Sequence, residues 1–168
     1  NVSAVNIIGG ARRSVQVTVV GDGPERAELK RQISRRRLKP LVELVPPEPL
    51  PALRARLAAA DLLVVPSQEG PHGDRDGIPN IVLEAFALGT PVVGTAEGGL
   101  SEVLTPETAH VLDMNWPPQL ADAIAAALDD PRAWEDKARA ARALVEARHD
   151  VRTSIRPLLE KIGTATVF

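Results

Sequence analysis

The sequence predicts an α/β domain built on a doubly wound (Rossmann-like) parallel sheet with helices on both faces. Short, nearly continuous apolar runs alternate with segments of helical periodicity, and a strand covered on both faces reads as an unbroken apolar run. Gly- and Pro-bearing turns follow several of the runs, where a strand would hand over to a helix. The 168 residues suffice for one such domain, spanning 1–168.

The first run is Val15 to Val20, β-branched and stopped by Gly21, Asp22, Gly23 and Pro24. Pro24 suits a helix's first turn, and Glu25, Ala27, Leu29, Ile33 and Leu38 continue a helical segment. Val42 to Val45 reads as a second strand ended by Pro46 and Pro47; Leu50, Leu53, Leu57 and Ala60 then repeat at helical spacing. Leu62 to Val65 is a third strand, closed by Pro66 and Ser67, and the polar, Gly-rich stretch from Gln68 to Gly77 is a loop. Pro79 restarts a helix through Leu88, with Gly89 ending it. Pro91 to Gly94 gives a fourth strand, the Gly98-Gly99 turn leads into a short helix to Leu104, and His110 to Leu112 reads as one more strand. The rest is helical, with apolar faces at Leu120, Ile124 and Leu128, at Trp134, Ala138, Ala141 and Val145, and at Ile155, Leu158, Leu159 and Ile162.

Composition narrows the function. Aromatics are only 2% of the chain, which leaves no stacking platform for single-stranded nucleic acid, and a net charge of −2 gives no overall pull on a polyanion. No nucleic-acid partner is expected. There is no Cys, and His72, His110 and His149 show no ligand spacing, so no metal site and no cofactor is predicted. No apolar run approaches the roughly 20 residues that cross a bilayer. The basic cluster Lys30, Arg31, Arg35, Arg36, Arg37 and Lys39 reads as a solvated helix face rather than a partner patch.

Ligands of open parallel sheets bind outside the carboxyl ends of the strands. The Gly21–Pro24 turn, the Ser67–Gly77 loop and the Gly98-Gly99 turn all fall there, where backbone N–H groups approach a ligand closely. The helix begun at Pro79 adds a positive dipole end suited to phosphate. Asp76 precedes that helix and Glu84 lies eight positions later, at most about 11 Å apart along a helix axis. A ligand draped over the helix start would offer hydroxyls to both acids; alternatively Asp76 caps the loop and Glu84 is an ordinary helical acid.

These residues resemble a known family. Pro66-Ser67, the block from Gly73 to Val93 containing Asp76-Gly-Ile-Pro-Asn-Ile-Val-Leu-Glu-Ala85, and Gly98-Gly-Leu-Ser-Glu102 closely resemble the donor-site signature of family 4 glycosyltransferases. Those enzymes are retaining and have the two-domain GT-B fold. The variant here is most similar to members that build bacterial exopolysaccharides and capsules. Gly21-Asp-Gly-Pro24 matches the same family's upstream turn, and the likeness runs from about Val15 to the end.

The resemblance implies roles. Asp76 and Glu84 fall on the family's two acids; the first is usually Glu, and Asp is one methylene shorter. Glu84 would accept from the ribose diol. Amides around Gly77, Ile78, Asn80 and Ile81 would face the sugar and diphosphate, whereas Pro79 has no N–H to give. The base would lie near Val45 and Pro46, with Gly21 and Gly23 beside the donor and Glu102 in a support role or merely capping a short helix. The donor would be a UDP- or GDP-sugar, and the acceptor a glycan or lipid-linked molecule bound by an N-terminal domain. This chain resembles only the second, C-terminal domain. The stretch carrying the family's diphosphate-neutralising Arg and Lys is also missing, and Arg12 and Arg13 do not match it.

The expectation is thus the donor-binding domain of a bacterial polysaccharide glycosyltransferase, cytoplasmic or peripheral at the inner membrane face, with little transfer by the isolated chain. A natural single-domain subunit completed by a partner chain is the second reading, and a sugar-nucleotide epimerase the third, although no extra acid–base pair asks for that role. A dinucleotide oxidoreductase fits poorly, because Gly21-Asp-Gly-Pro24 lacks the third Gly of that fingerprint. Glu69, His72 and Asp74 read as loop residues, and Trp116 and Trp134 as packing anchors. An uncovered face at Ile155, Leu158, Leu159 and Ile162 would favour self-association.

Overall fold

A computed structural model describes residues 4–8, 15–67, 77–112 and 117–163. One sheet contains β1 (Ala4–Ile8), β2 (Gln16–Val20), β3 (Val42–Val45), β4 (Leu62–Val65), β5 (Val92–Thr95) and β6 (His110–Leu112), in the order β3-β2-β1-β4-β5-β6. Helices α1 (Arg26–Arg35), α2 (Leu50–Ala58) and α3 (Asn80–Leu88) connect strands, and a 3₁₀ turn covers Gly98–Glu102. After β6 come α4 (Pro117–Asp129), α5 (Pro131–Arg148), α6 (Val151–Ser154) and α7 (Arg156–Gly163).

The predicted class holds: β2 and β3 are parallel, as are β4, β5 and β6, and helices lie on both faces. One strand departs from the all-parallel expectation. β1, which the sequence reading did not assign, runs antiparallel to both β2 and β4, with Ala4 opposite Val20 and Ile7 opposite Leu62. Only residues 9–15 separate β1 from β2. A parallel neighbour needs a crossover of about a dozen residues or more, so a connection this short permits only reversal. Because β1 opposes both neighbours, β2 and β4 still point the same way.

Every residue of β4 and β5 is buried. Along β4 the faces alternate, as the pleat requires. Leu63 and Val65 join Leu57, Val82, Ala85, Phe86 and Ala141 in one cluster, and Leu62 and Val64 join Ala123, Ala127 and Trp134 in the other. Phe86 is fully buried at the centre of the first.

Two helix ends show how the sequence stops its helices. α3 ends at Gly89 as predicted, with Thr90 N–H bonded to the Ala85 carbonyl and the Thr90 hydroxyl donating to Leu57 O at 2.8 Å. α1 was expected to reach Leu38 but ends at Arg35. Leu38 N–H returns to Ile33 O and Arg37 N–H to Ser34 O, the pairing of a left-handed helix stop. Arg37 holds that position at φ 57°, where a non-Gly residue pays roughly 1–2 kcal/mol. Arg35, Arg36, Arg37 and Lys39 are exposed and Arg31 pairs with Glu28, in keeping with a solvated face.

Trp134 is buried and stacks on His110, ring centroids 5.5 Å apart, as expected of a packing anchor; Trp116 lies outside the described residues. The predicted last helix is divided between α6 and α7, and Val151, Ile155, Leu159 and Ile162 are exposed along it. Among the described residues no helix is long and apolar enough to cross a membrane.

Burial, with a further push from the Lys137 charge, lowers the His110 pKa below its ordinary 6.5. Protonation therefore favours the unfolded chain, whose imidazole takes up its proton first. The resulting stability is full above about pH 6.5 and is lost as pH falls through the depressed folded value. Melting curves from pH 7.5 to 5 should fall more steeply for wild type than for His110→Phe, which keeps the ring against Trp134. Parallel curves would contradict the assignment.

Candidate functional site

The parallel strands bring their carboxyl ends to one edge. Gly21–Pro24 follows β2, Pro46 follows β3, Pro66 and Ser67 follow β4, and Ala96–Gly99 follows β5. The Gly21 turn, the Gly98-Gly99 turn and the two described ends of the intervening loop, Ser67 and Gly77, thus share a rim, but not equally. β4 and β5 are neighbours, whereas β1 separates β2 from β4, setting the Gly21 turn about 10 Å from the β4 end.

The tight part of the rim is where Gly99 meets the segment leading into α3. A Cβ placed on Gly99 would stand 2.8 Å from the Gly77 carbonyl carbon and 2.9 Å from the Ile78 nitrogen. Only a residue without a side chain lets these two backbones lie together. The Thr95 hydroxyl, itself buried, donates to Ser67 O and ties the β5 end to the β4 end.

α3 starts from this clasp. Pro79 is its N-cap residue, and no side chain caps the helix. Val82 N–H reaches Pro79 O at 3.0 Å, while the amides of Asn80 and Ile81 belong to the first turn, which has no preceding helical carbonyls. Ile81 is buried and Ile78 packs on the core, so both offer the rim backbone rather than side chain. Glu84 sits one turn further in. Its Oε1 lies 3.4 Å from Nη2 of Arg54 on α2, with side-chain exposures of 19% for Glu84 and 54% for Arg54. Asp76 lies outside the described residues, as do Glu69, His72, Asp74, Arg12 and Arg13.

Beyond β1, a cavity of 320 Å³ is lined by Val19, Leu29 and Leu44 below the turn Gly21–Arg26. Gly21 adopts φ 143°, which favours glycine, and its N–H donates to Val45 O. Val45 buries its side chain, so only its backbone faces the rim; Pro46 is exposed. The Arg26 guanidinium, which the sequence reading passed over, donates to Gly21 O, Leu44 O and Val45 O and laces the ends of β2 and β3 together. Glu102 is exposed at the last position of the 3₁₀ turn. The residue at the N-cap of that turn is Glu97, so of the two alternatives for Glu102 the capping one does not hold at the start of this turn. Among the described residues no group of three or more His, Asp or Glu stands close enough to hold a metal ion.

This geometry has relatives. The model of the family described as glycosyl transferases group 1 matches residues 2–130. The chain belongs to the group 1 glycosyl transferases. Within that family it is 36% identical over 86 residues to a putative colanic acid biosynthesis glycosyltransferase, WcaL, of Escherichia coli K12, covering 51% of this chain and 21% of the relative. It is 34% identical over 130 residues to a D-inositol 3-phosphate glycosyltransferase of Pseudarthrobacter chlorophenolicus, covering 76% of this chain and 30% of the relative. Among solved structures, Anabaena HepE in complex with UDP and glucose superposes with a TM-score of 0.74 at 25% identity, covering 88% of this chain and 40% of HepE. This group 1 chain therefore spans well under half the length of these relatives.

The clasp makes a testable demand. In Gly99→Ala the added methyl displaces the Gly77–Ile78 backbone, an overpacking strain of about 1–3 kcal/mol. Thermal melting of the variant should show a loss in that range, with the amide signals of Ile78 and Asn80 shifted in its NMR spectrum. A variant with wild-type stability and unmoved signals would show that the approach is not tight.

Proposed function

We propose that this chain is the nucleotide-sugar-binding domain of a retaining glycosyltransferase, using a UDP- or GDP-sugar and acting on a glycan or lipid-linked acceptor. The observation that carries the reading is the uncapped start of α3, clasped between Gly77–Ile78 and Gly99 on the carboxyl rim, with Glu84 one turn further in. The binding of UDP by a structural relative supports it.

On this reading the donor diphosphate lies against the amides around Gly77, Ile78, Asn80 and Ile81, where the positive helix end and unpaired N–H groups favour an anion. Glu84 accepts from the ribose hydroxyls. The base lies toward the backbone at Val45 and Pro46, with Gly21 and Gly23 on that side of the rim. Asp76 stands at the sugar and Glu102 supports the donor from the 3₁₀ turn. As the bond from the anomeric carbon to the diphosphate oxygen breaks, negative charge grows on the leaving group, and dipoles already aimed there stabilise it without reorganising. The acceptor hydroxyl attacks from the face the leaving group departs, which keeps the anomeric configuration.

The acceptor-binding half and the basic groups for the diphosphate are proposed to come from a second domain, consistent with the chain's small share of its relatives' length. A polysaccharide-building role follows the relative's colanic acid assignment, and a cytoplasmic or inner-membrane-face location suits a lipid-linked acceptor. The exposed Val151, Ile155, Leu159 and Ile162 form the surface through which isolated chains would self-associate.

Calorimetric titration with UDP, GDP and NAD tests the reading. UDP or GDP should bind at micromolar to millimolar concentrations. Glu84→Ala should weaken binding about tenfold or more, the worth of hydrogen bonds to a charged acceptor. Tight NAD binding, or no binding of either nucleoside diphosphate, would overturn it.

A further inference from the structure

Glu84 meets a cation from a neighbouring helix. Arg54 extends from α2 so that its Nη2 stands 3.4 Å from Glu84 Oε1, with the guanidinium on the solvent side of the better-covered acid. The two helices are held in fixed relation. Leu57 of α2 shares a core cluster with Val82, Ala85 and Phe86 of α3, and the Thr90 hydroxyl beyond α3 donates to Leu57 O. Arg54 and Leu57 are three residues apart, on one face of α2. The cation therefore springs from a rigid base beside the acid.

Resting on the donor-domain reading above, we propose that Arg54 is a positioning residue for the donor ribose, holding one oxygen of Glu84 so that the other meets the 2′- and 3′-hydroxyls. An ionised carboxylate has about four lone-pair directions. A guanidinium using one at Oε1 leaves Oε2 and the remaining direction for a diol. A glutamate already held in place loses less side-chain freedom when the nucleotide arrives. The position also separates this role from phosphate binding. Glu84 lies four residues into α3, about 6 Å along the axis from the amides that face the diphosphate. An ion pair this exposed adds little to folding, so its effect belongs to the bound state.

The test compares UDP and GDP with their 2′,3′-dideoxy forms, titrated into wild type, Arg54→Ala, Arg54→Lys, Glu84→Gln and the Arg54→Ala/Glu84→Gln double variant. Melting curves check that each is folded. Arg54→Ala should weaken the ribonucleotide about three- to tenfold and leave its dideoxy form unchanged. Arg54→Lys should recover part of the loss, and Arg54→Ala should cost nothing further in the Glu84→Gln background. Equal losses for ribo and dideoxy forms would overturn the proposal, because Arg54 would then act on phosphate or base. A loss that persists without the Glu84 carboxylate, or no loss at all, would overturn it too. If Glu84→Gln distinguishes ribo from dideoxy nucleotide while Arg54→Ala does not, this proposal falls alone. If wild type binds neither nucleotide, the donor-domain reading falls and takes this one with it.

Discussion

The rim depends on one close approach, that of the Gly99 backbone to the Gly77–Ile78 backbone. It holds the 3₁₀ turn after β5 against the segment that leads through Pro79 into α3. Two buried strands make the approach possible. β4 and β5 pair in parallel, Val65 opposite Gly94, and both are covered on each face, so their carboxyl ends cannot slide apart without opening the core. The Thr95 hydroxyl to Ser67 O link then fixes the two strand exits to each other. A glycine is required at position 99 for a local steric reason, and the candidate site inherits its geometry from that reason.

The same sheet shows how chain length governs direction. β1 fills the slot between β2 and β4, yet its short link to β2 leaves room only for a reversal. The slot itself is indifferent to strand sense, because backbone donors and acceptors on β2 and β4 pair with either. α1 buries none of its residues, and a cavity lined by its Leu29 and by Val19 and Leu44 lies beneath the Gly21 turn. The side of the rim near Gly21 is held instead by Arg26 across three carbonyls.

Much of this was legible in the residues. Leu62 to Val65 is a strand because an unbroken apolar run suits burial on both faces, Pro91 to Gly94 marked the next strand to within a residue, and Gly89 and the Gly98-Gly99 pair announced their turns. The Asp76–Glu84 block carried the family. β1 was not legible, since Asn6 interrupts a run of five residues and nothing local encodes strand direction. Arg26 and Arg54 were not legible either. Each acts on atoms far along the chain, Arg54 on Glu84 thirty positions away, and an arginine within a helical pattern gives no sign of which helix or strand it will meet. The Arg37 helix stop was hidden for the opposite reason, because a left-handed position usually advertises itself with glycine.

Every role proposed for this rim requires a nucleoside diphosphate to bind at the clasped start of α3. Amide chemical-shift mapping of the chain during titration with UDP and with GDP tests it most directly. The largest shifts should fall on Gly77, Ile78, Asn80, Ile81 and Gly99, with smaller ones near Gly21 and Glu84. Shifts gathered instead beside the edge strand β6, around His110, Gln119 and Asp122, would contradict it.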